Sequence, residues 1–228
     1  MSLATQDRAA ERLPPAADHV VRSQRLLTID LLRRLFLFGP SDEVLGLALA
    51  AAEAPGGSPA LADAVDALRI ATEAGIDAGE RWGIELAAEF ARLIVGPAET
   101  PAVPYASFYL SPSRLVMTEE TLAVRRQYFD AGVARGSDVR IPDDHIGLEL
   151  DFLYFLEREV ALAAAVGDHV AATAARARRA NFIGGHLSQW VPRFVSNLRR
   201  ATSDAFMHAA AAALLAVVSA DDLNDHPV

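Results

Sequence analysis

The chain has 228 residues, of which 52% are hydrophobic, and its 30 acidic and 21 basic side chains give a net charge of −9. The acidic balance weighs against nucleic acid as the main partner, and the absence of cysteine excludes disulfides, thiolate metal sites and thiol catalysis. No apolar run has the length of a membrane span, and residues 1–15 lack the apolar core of a signal peptide. We therefore expect a soluble, cytoplasmic protein without membrane insertion.

Helical periodicity runs through most of the chain, and no stretch alternates convincingly as a strand would. Glycine and proline breakers separate the first four predicted helices, which cover about 18–38, 41–54, 58–74 and 77–94. We predict an all-α fold with a single helical bundle. Its predicted divisions are a flexible tail at 1–17, a helical domain at 18–220 and an acidic tail at 221–228.

The helical pattern stops between residues 95 and 117, where four prolines forbid regular helix. The same stretch contains Tyr105, Phe108 and Tyr109, which would form a costly apolar patch if they were exposed. We therefore predict a long loop that its aromatic side chains anchor to the surface. This loop is also the candidate for a subdomain boundary.

Four helices and one short helical segment are predicted after the loop, over about 118–132, 145–166, 168–186, a short piece from 188, and 203–218. The helix that begins near His145 is apolar on most sides, so we expect it to be central and buried. Phe182, His186, Trp190 and Phe194 recur every four residues, which is typical of a core stripe. The cluster of arginines at 176–179 is interpreted as a solvated face.

The densest polar group is Asp143-Asp144-His145, followed four residues later by Glu149. His145 and Glu149 share a helix face, as two metal ligands would, but the sequence offers no third ligand at a suitable spacing. A helix cap at Asp143 or Asp144, or a role in partner binding, is therefore favoured. The alternative is a metal- or nucleotide-dependent enzyme that uses Asp144, His145 and Glu149. A third interpretation, a structural subunit of a stable complex, predicts misfolding when the chain is expressed alone.

Three segments together resemble a known family. They are the helix end at 90–97 with the aromatic loop at 104–109, the Pro-Asp-Asp-His start of a helix at 142–150, and the His-Leu, Trp, Phe run at 182–194. In this order and spacing the chain resembles the TorD/DmsD family of redox-enzyme maturation chaperones. Two positions depart from the family pattern: Ile141 stands where many members have glutamate, and Tyr105 where tryptophan is frequent.

The resemblance implies an all-α chaperone that is not an enzyme and has no cofactor and no metal. It implies binding of the twin-arginine signal region of a molybdopterin oxidoreductase, and help with loading its cofactor before export. Weak guanine nucleotide binding, known in some members, is a further expectation from the resemblance. The residues carried over as contacts to the client enzyme are Asp144, His145, Tyr105, Ser107, Trp82 and Phe90. A receptor for a basic and apolar peptide needs carboxylates beside an apolar groove.

Overall fold

The structure is a computed structural model that describes residues 3–5, 23–96, 100–135 and 140–219. In chain order the elements are β1 (Leu3–Thr5), α1 (Gln24–Phe38), α2 (Asp42–Glu53), α3 (Pro59–Ala78), α4 (Glu80–Phe90), α5 (Ala106–Leu110), α6 (Glu119–Asp130), β2 (Val133–Arg135), α7 (Ile146–Ala165), α8 (His169–Phe182), α9 (Ser188–Ala201) and α10 (Ala205–Val218). The prediction of an all-α fold is confirmed.

Serine side chains begin the first three helices. The hydroxyl oxygens of Ser23, Ser41 and Ser58 each accept the backbone N–H three residues later, a cap that stabilises a helix by about 1 kcal/mol. The starts predicted at Ser41 and Ser58 are therefore confirmed. The start predicted at Asp18 lies outside the described residues.

Helix α7 lies at the centre of the bundle, as its apolar sequence predicted. It packs against both α1 and α8, while α10 packs against α3 and α9. Its apolar side chains from Ile146 to Leu156 are mostly buried. Within the described residues, none of the helices is both long enough and apolar enough to cross a membrane.

Two strands were not predicted. Leu3–Thr5 pairs antiparallel with Val133–Arg135, so three residues of the predicted N-terminal tail form β structure. The other residues of 1–17, and the acidic tail at 221–228, lie outside the described residues. The division into tail, domain and tail stays a prediction.

Two helices continue through a π-helical turn. Helix α4 runs on through Ala91–Val95, and α8 runs through Ile183–Leu187 directly into α9. The helix predicted from Ser188 is present, but the new cap predicted there is wrong, because the wider turn lets the backbone continue from α8 without a cap. The core stripe is confirmed, since Phe182, Trp190 and Phe194 are fully buried.

The solvated arginine face predicted on α8 needs one correction. Arg179 is buried, and its Nη1 donates to Glu157 Oε2 on α7 at 2.8 Å. The second oxygen of Glu157 accepts from Arg25 Nε on α1 at 2.7 Å. The two guanidinium groups hold the pKa of Glu157 below its usual range despite the burial that would raise it. Arg179 is buried because α8 packs against α7, a contact that the local sequence does not show.

Candidate functional site

Backbone hydrogen bonds join two of the segments that carry the family resemblance. The Ala106 N–H donates to the Asp144 carbonyl at 3.0 Å, and the Ile146 N–H donates to the Pro104 carbonyl at 2.8 Å. Between these two bonds Tyr105 lies opposite His145, and their ring centroids are 5.1 Å apart in an edge-to-face arrangement. The aromatic loop and the start of α7 therefore form one structural unit.

The Asp144 carboxylate is fully buried inside this unit. Its Oδ2 accepts the backbone N–H of Ser107 at 2.9 Å, and its Oδ1 accepts the hydroxyl of Thr121 at 2.9 Å. Asp144 therefore does not cap the helix that follows it in sequence, as one interpretation of the sequence had it. It binds the first turn of α5 and the first turn of α6, and so fixes the loop between them.

His145 occupies the N-cap position of α7 instead. Its Nδ1 accepts the N–H of Gly147 at 3.1 Å, which places the ring proton on Nε2. Burial lowers the pKa of His145 to about 4, against an opposing contribution from Asp144. The imidazole is consequently neutral at physiological pH and acts as a polar wall residue.

Glu149, the last member of the polar group, binds different partners. Its Oε1 lies 2.7 Å from Nε2 of His186, and its Oε2 accepts from Nε1 of Trp190 at 3.1 Å. Burial raises the pKa of Glu149. Burial by itself lowers the pKa of His186, but the Glu149 carboxylate outweighs this effect, so the pKa of His186 is raised. The periodicity marked His186 only as part of a core stripe, and no local pattern pairs it with a carboxylate 37 residues away.

The side chains of Asp144, His145 and Glu149 thus have separate partners and do not converge on one point. Over the ranges that the structure describes, no three His, Cys, Asp or Glu side chains are grouped so that they could hold a metal ion. This geometry does not assemble the cluster on which the enzyme alternative depends.

An apolar groove of about 810 Å³ opens beside Tyr105 and His145. The end of α1, the π turn after α4 and the loop form its walls. Several large apolar side chains on the groove are exposed to solvent, including Phe38 (54%) and Leu115 (62%). The groove is lined by Phe36, Leu37, Phe38, Phe90, Ile94, Val95, Gly96, Thr100, Val103, Pro104, Tyr105, Phe108, Arg114, Leu115, Val116, Ile141 and His145.

Of the predicted contact residues, Phe90, Tyr105 and His145 line this groove together. Ser107 is buried behind the wall with Asp144, and its hydroxyl has no hydrogen-bond partner among the described residues. Trp82 is not part of the lining. Its ring covers Gly75 and meets Phe206 edge to face, with centroids 6.4 Å apart.

The groove lacks the carboxylates that were predicted beside it. None of the described residues that line it has a carboxylate, and the charged group among them is Arg114. Asp144 directly precedes His145 in the chain, but its carboxylate is turned inward and bonds to Ser107 and Thr121.

Tyr109 anchors the loop to the helical core. Its ring stacks on Trp190 with centroids 5.6 Å apart, and it meets Phe194 edge to face at 6.3 Å. Burial raises the pKa of Tyr109 to about 12. The predicted anchoring by aromatic side chains is confirmed here. One part of the loop differs from prediction: Ala106–Leu110, which contains no proline, forms the short helix α5.

A family model described as nitrate reductase delta subunit matches residues 55–196. That span is more than half of the chain and includes all three segments that carried the resemblance. The chain belongs to the TorD/DmsD family. The resemblance inferred from the motifs is therefore confirmed.

Similar proteins bear related names. Chaperone protein TorD of Aliivibrio fischeri is 31% identical over 137 residues, which are 60% of this chain and 62% of that protein. TorD of Photobacterium profundum is 28% identical over 166 residues, 73% of this chain and 75% of its own length. The first of these alignments spans less than two thirds of the relative. A crystal structure of an Archaeoglobus fulgidus protein, described as a redox enzyme maturation protein, is 21% identical, with a TM-score of 0.40, and covers 76% of this chain and 97% of its own.

Proposed function

We propose that this protein is a cytoplasmic chaperone for a molybdopterin oxidoreductase. It binds the client's twin-arginine signal region and holds it while the cofactor is loaded before export. Membership of the TorD/DmsD family and the names of the relatives support the class of function. The observation that carries the binding site is the apolar groove at the junction of the two family-like motifs.

The groove suits the apolar stretch of a signal peptide. Side chains such as Phe38 and Leu115 leave more than half of their surface in water, which is unfavourable until a partner covers them. The volume of about 810 Å³ lies within the usual range for binding pockets. An apolar peptide segment in the groove removes these surfaces from water and gains affinity from that burial.

The predicted contact residues divide into two roles in this proposal. Phe90, Tyr105 and His145 contact the client because they line the groove. Asp144 and Ser107 position the wall from behind. The arginine pair of the client stacks on aromatic faces at the rim, such as that of Tyr105, a contact worth about 0.5–2 kcal/mol. Trp82 is a separate, outlying contact.

The test is a titration of a fluorescent synthetic peptide that has paired arginines followed by a leucine- and alanine-rich stretch. The groove variant Phe38→Ala/Leu115→Ala removes exposed lining side chains. Its matched control, Phe129→Ala/Leu122→Ala, removes side chains on α6 that are 78% and 47% exposed and lie outside the groove.

We expect the groove variant to bind about tenfold more weakly or worse, because two interface anchors are lost. The control variant should bind as the wild type does. Equal affinities of the groove variant and the wild type would refute the groove as the binding site. Replacing the peptide's two arginines by glutamine in a parallel titration measures the share of affinity that the guanidinium groups provide.

A further inference from the structure

A second concavity, of about 690 Å³, lies on the other side of the same loop. We name it the arginine cleft, because three arginines line it: Arg114 from the loop, and Arg193 and Arg200 from α9. Phe108 and Arg114 line both the cleft and the apolar groove, so the two cavities are adjacent.

The charge of the cleft contrasts with that of the whole chain. The chain has a net charge of −9, yet none of the described residues that line the cleft has a carboxylate. Other surface arginines, such as Arg69, Arg81 and Arg92, each pair with a glutamate or aspartate on the same helix. Neighbouring acidic side chains therefore neutralise these three guanidinium groups.

The arginines of the cleft have only neutral partners in the described part of the chain. Arg193 Nη2 donates to the Gln189 carbonyl at 3.1 Å, and its guanidinium lies 6.0 Å from the Tyr109 ring centroid. Arg200 Nη2 donates to Asn197 Oδ1 at 2.5 Å. Each guanidinium has five N–H groups, so most of these donors stay available to an incoming anion.

The amphipathic helix α9 fixes the spacing of two of these arginines. Its buried face, which includes Trp190 and Phe194, packs on the core, so Arg193 and Arg200 point outward from the same side of the helix. Seven residues of helix separate their α-carbons by about 10 Å along the axis. An extended peptide covers the same distance in about three residues. Side chains of a β-strand alternate between two faces, but a polyproline II segment repeats every three residues with a rise of about 3.1 Å per residue, so two acidic side chains at positions i and i+3 lie on one side and match this spacing.

Arg114 adds the third positive charge at the boundary between the cavities. Its backbone has φ of 53°, in the left-handed region that side chains other than glycine and asparagine rarely adopt. In this conformation the residue lines the groove and the cleft at once.

We infer that the arginine cleft binds the carboxylates of an acidic segment of the client polypeptide that adjoins the apolar stretch held in the groove. The inference rests on the proposed function and adds a second, oppositely charged recognition site. Charge complementarity supports it, because carboxylates form charge-assisted and often bidentate hydrogen bonds with guanidinium groups.

The position of Arg114 also sets the direction in which the client polypeptide runs along the groove. A basic peptide end is repelled from the shared boundary, so the arginine pair lies at the end of the groove away from the cleft. In a signal whose arginines precede the apolar stretch, the acidic segment then follows that stretch. The chaperone would therefore contact client sequence beyond the signal's apolar part.

The experiment compares three signal-type peptides and one free acidic peptide. The first peptide ends after the apolar stretch, the second continues with two glutamates spaced i and i+3, and the third has glutamines in their place. The free acidic peptide contains only the glutamate segment. Each is titrated against the wild type, Arg193→Gln/Arg200→Gln, and a control, Arg126→Gln/Arg178→Gln, which removes two exposed arginines of α6 and α8 with the same change in net charge.

We expect the glutamate extension to tighten binding to the wild type by about tenfold or more relative to the glutamine extension. The gain should shrink at high salt, disappear in the cleft variant and persist in the control. Equal affinities for the two extensions would overturn the inference, as would an equal gain in the cleft variant.

The free acidic peptide separates the two proposals. If the first peptide does not bind, the proposed function fails, while binding of the free acidic peptide to the wild type but not to the cleft variant would still support the cleft. If the free acidic peptide also fails to bind, the cleft assignment falls. Inorganic pyrophosphate is titrated in parallel. Cleft-dependent binding of pyrophosphate without binding of any acidic peptide would make this a small-anion site and overturn the inference.

Discussion

Replacing Asp144 by alanine tests the internal bonding of the candidate site. The buried carboxylate accepts one hydrogen bond from the Ser107 N–H and one from the Thr121 hydroxyl. Alanine leaves both donors without a partner in the interior, at about 1–3 kcal/mol each, and opens a small cavity. We expect Asp144→Ala to lower the free energy of unfolding by about 3–5 kcal/mol.

Asparagine is the informative comparison because it can keep both bonds. Its Oδ1 accepts from Ser107, and its Nδ2 donates to Thr121, whose hydroxyl can act as acceptor as well as donor. Two charge-assisted bonds become neutral ones, which costs about 1 kcal/mol each. The expected loss for Asp144→Asn is therefore about 2 kcal/mol, clearly less than for alanine.

Urea unfolding followed by tryptophan fluorescence measures both variants, and the peptide titration runs alongside. Thr121→Val, alone and combined with Asp144→Asn, gives a double-mutant cycle whose coupling energy reports the bond directly. If Asp144→Asn kept full stability and still lost affinity for the twin-arginine peptide, the buried, positioning role would be refuted. Direct contact between Asp144 and a client arginine, as expected from the sequence resemblance, would then be favoured.

Three further predictions concern titration and packing. His145 stays neutral with a pKa of about 4 when folded but titrates near 6.5 when unfolded. Wild-type stability should therefore fall by up to about 3 kcal/mol as pH drops from 6.5 to 4, and His145→Asn, which still caps the helix, should remove this part of a pH series of urea titrations. The raised pKa of His186 changes stability with pH in the opposite direction. The stability that His186 contributes is present below pH 6.5 and is lost as pH rises through its raised pKa. An unchanged pH slope in His186→Gln would contradict this. Tyr109→Ala should cost about 3–5 kcal/mol in unfolding free energy and change the emission of the stacked Trp190; a loss below about 1 kcal/mol, as expected for the exposed Phe129→Ala, would contradict the buried anchor.

The fold could be predicted from the sequence where the signals were local. Ser41 and Ser58 marked two helix starts, Gly39 marked one helix end, and the apolar pattern after His145 identified the central helix. These signals depend on neighbours within one or two turns, so they survive in a single sequence. The π turn at Ile183–Leu187 was missed because its residues give no sign of a wider helical turn.

The candidate site was only partly predictable, because its partners come from distant elements. The motifs located Tyr105 and His145, but the sequence does not show that Asp144 turns inward to Ser107 and Thr121, 37 and 23 residues away. The net charge suggested carboxylates beside the groove. The net charge does not show where the carboxylates lie, however. The charged side chains that line the described groove and cleft are arginines.

Two of the hydrogen bonds that join the loop to the start of α7 are made by main-chain atoms of Pro104, Ala106, Asp144 and Ile146. Main-chain bonds hold whatever side chains lie beside them, provided the local backbone is kept. Groove-lining residues such as Tyr105, Phe38 and Leu115 can therefore vary while the frame of the groove stays in place. In the proposed function, a groove framed in this way changes its specificity through a few substitutions while the fold is kept.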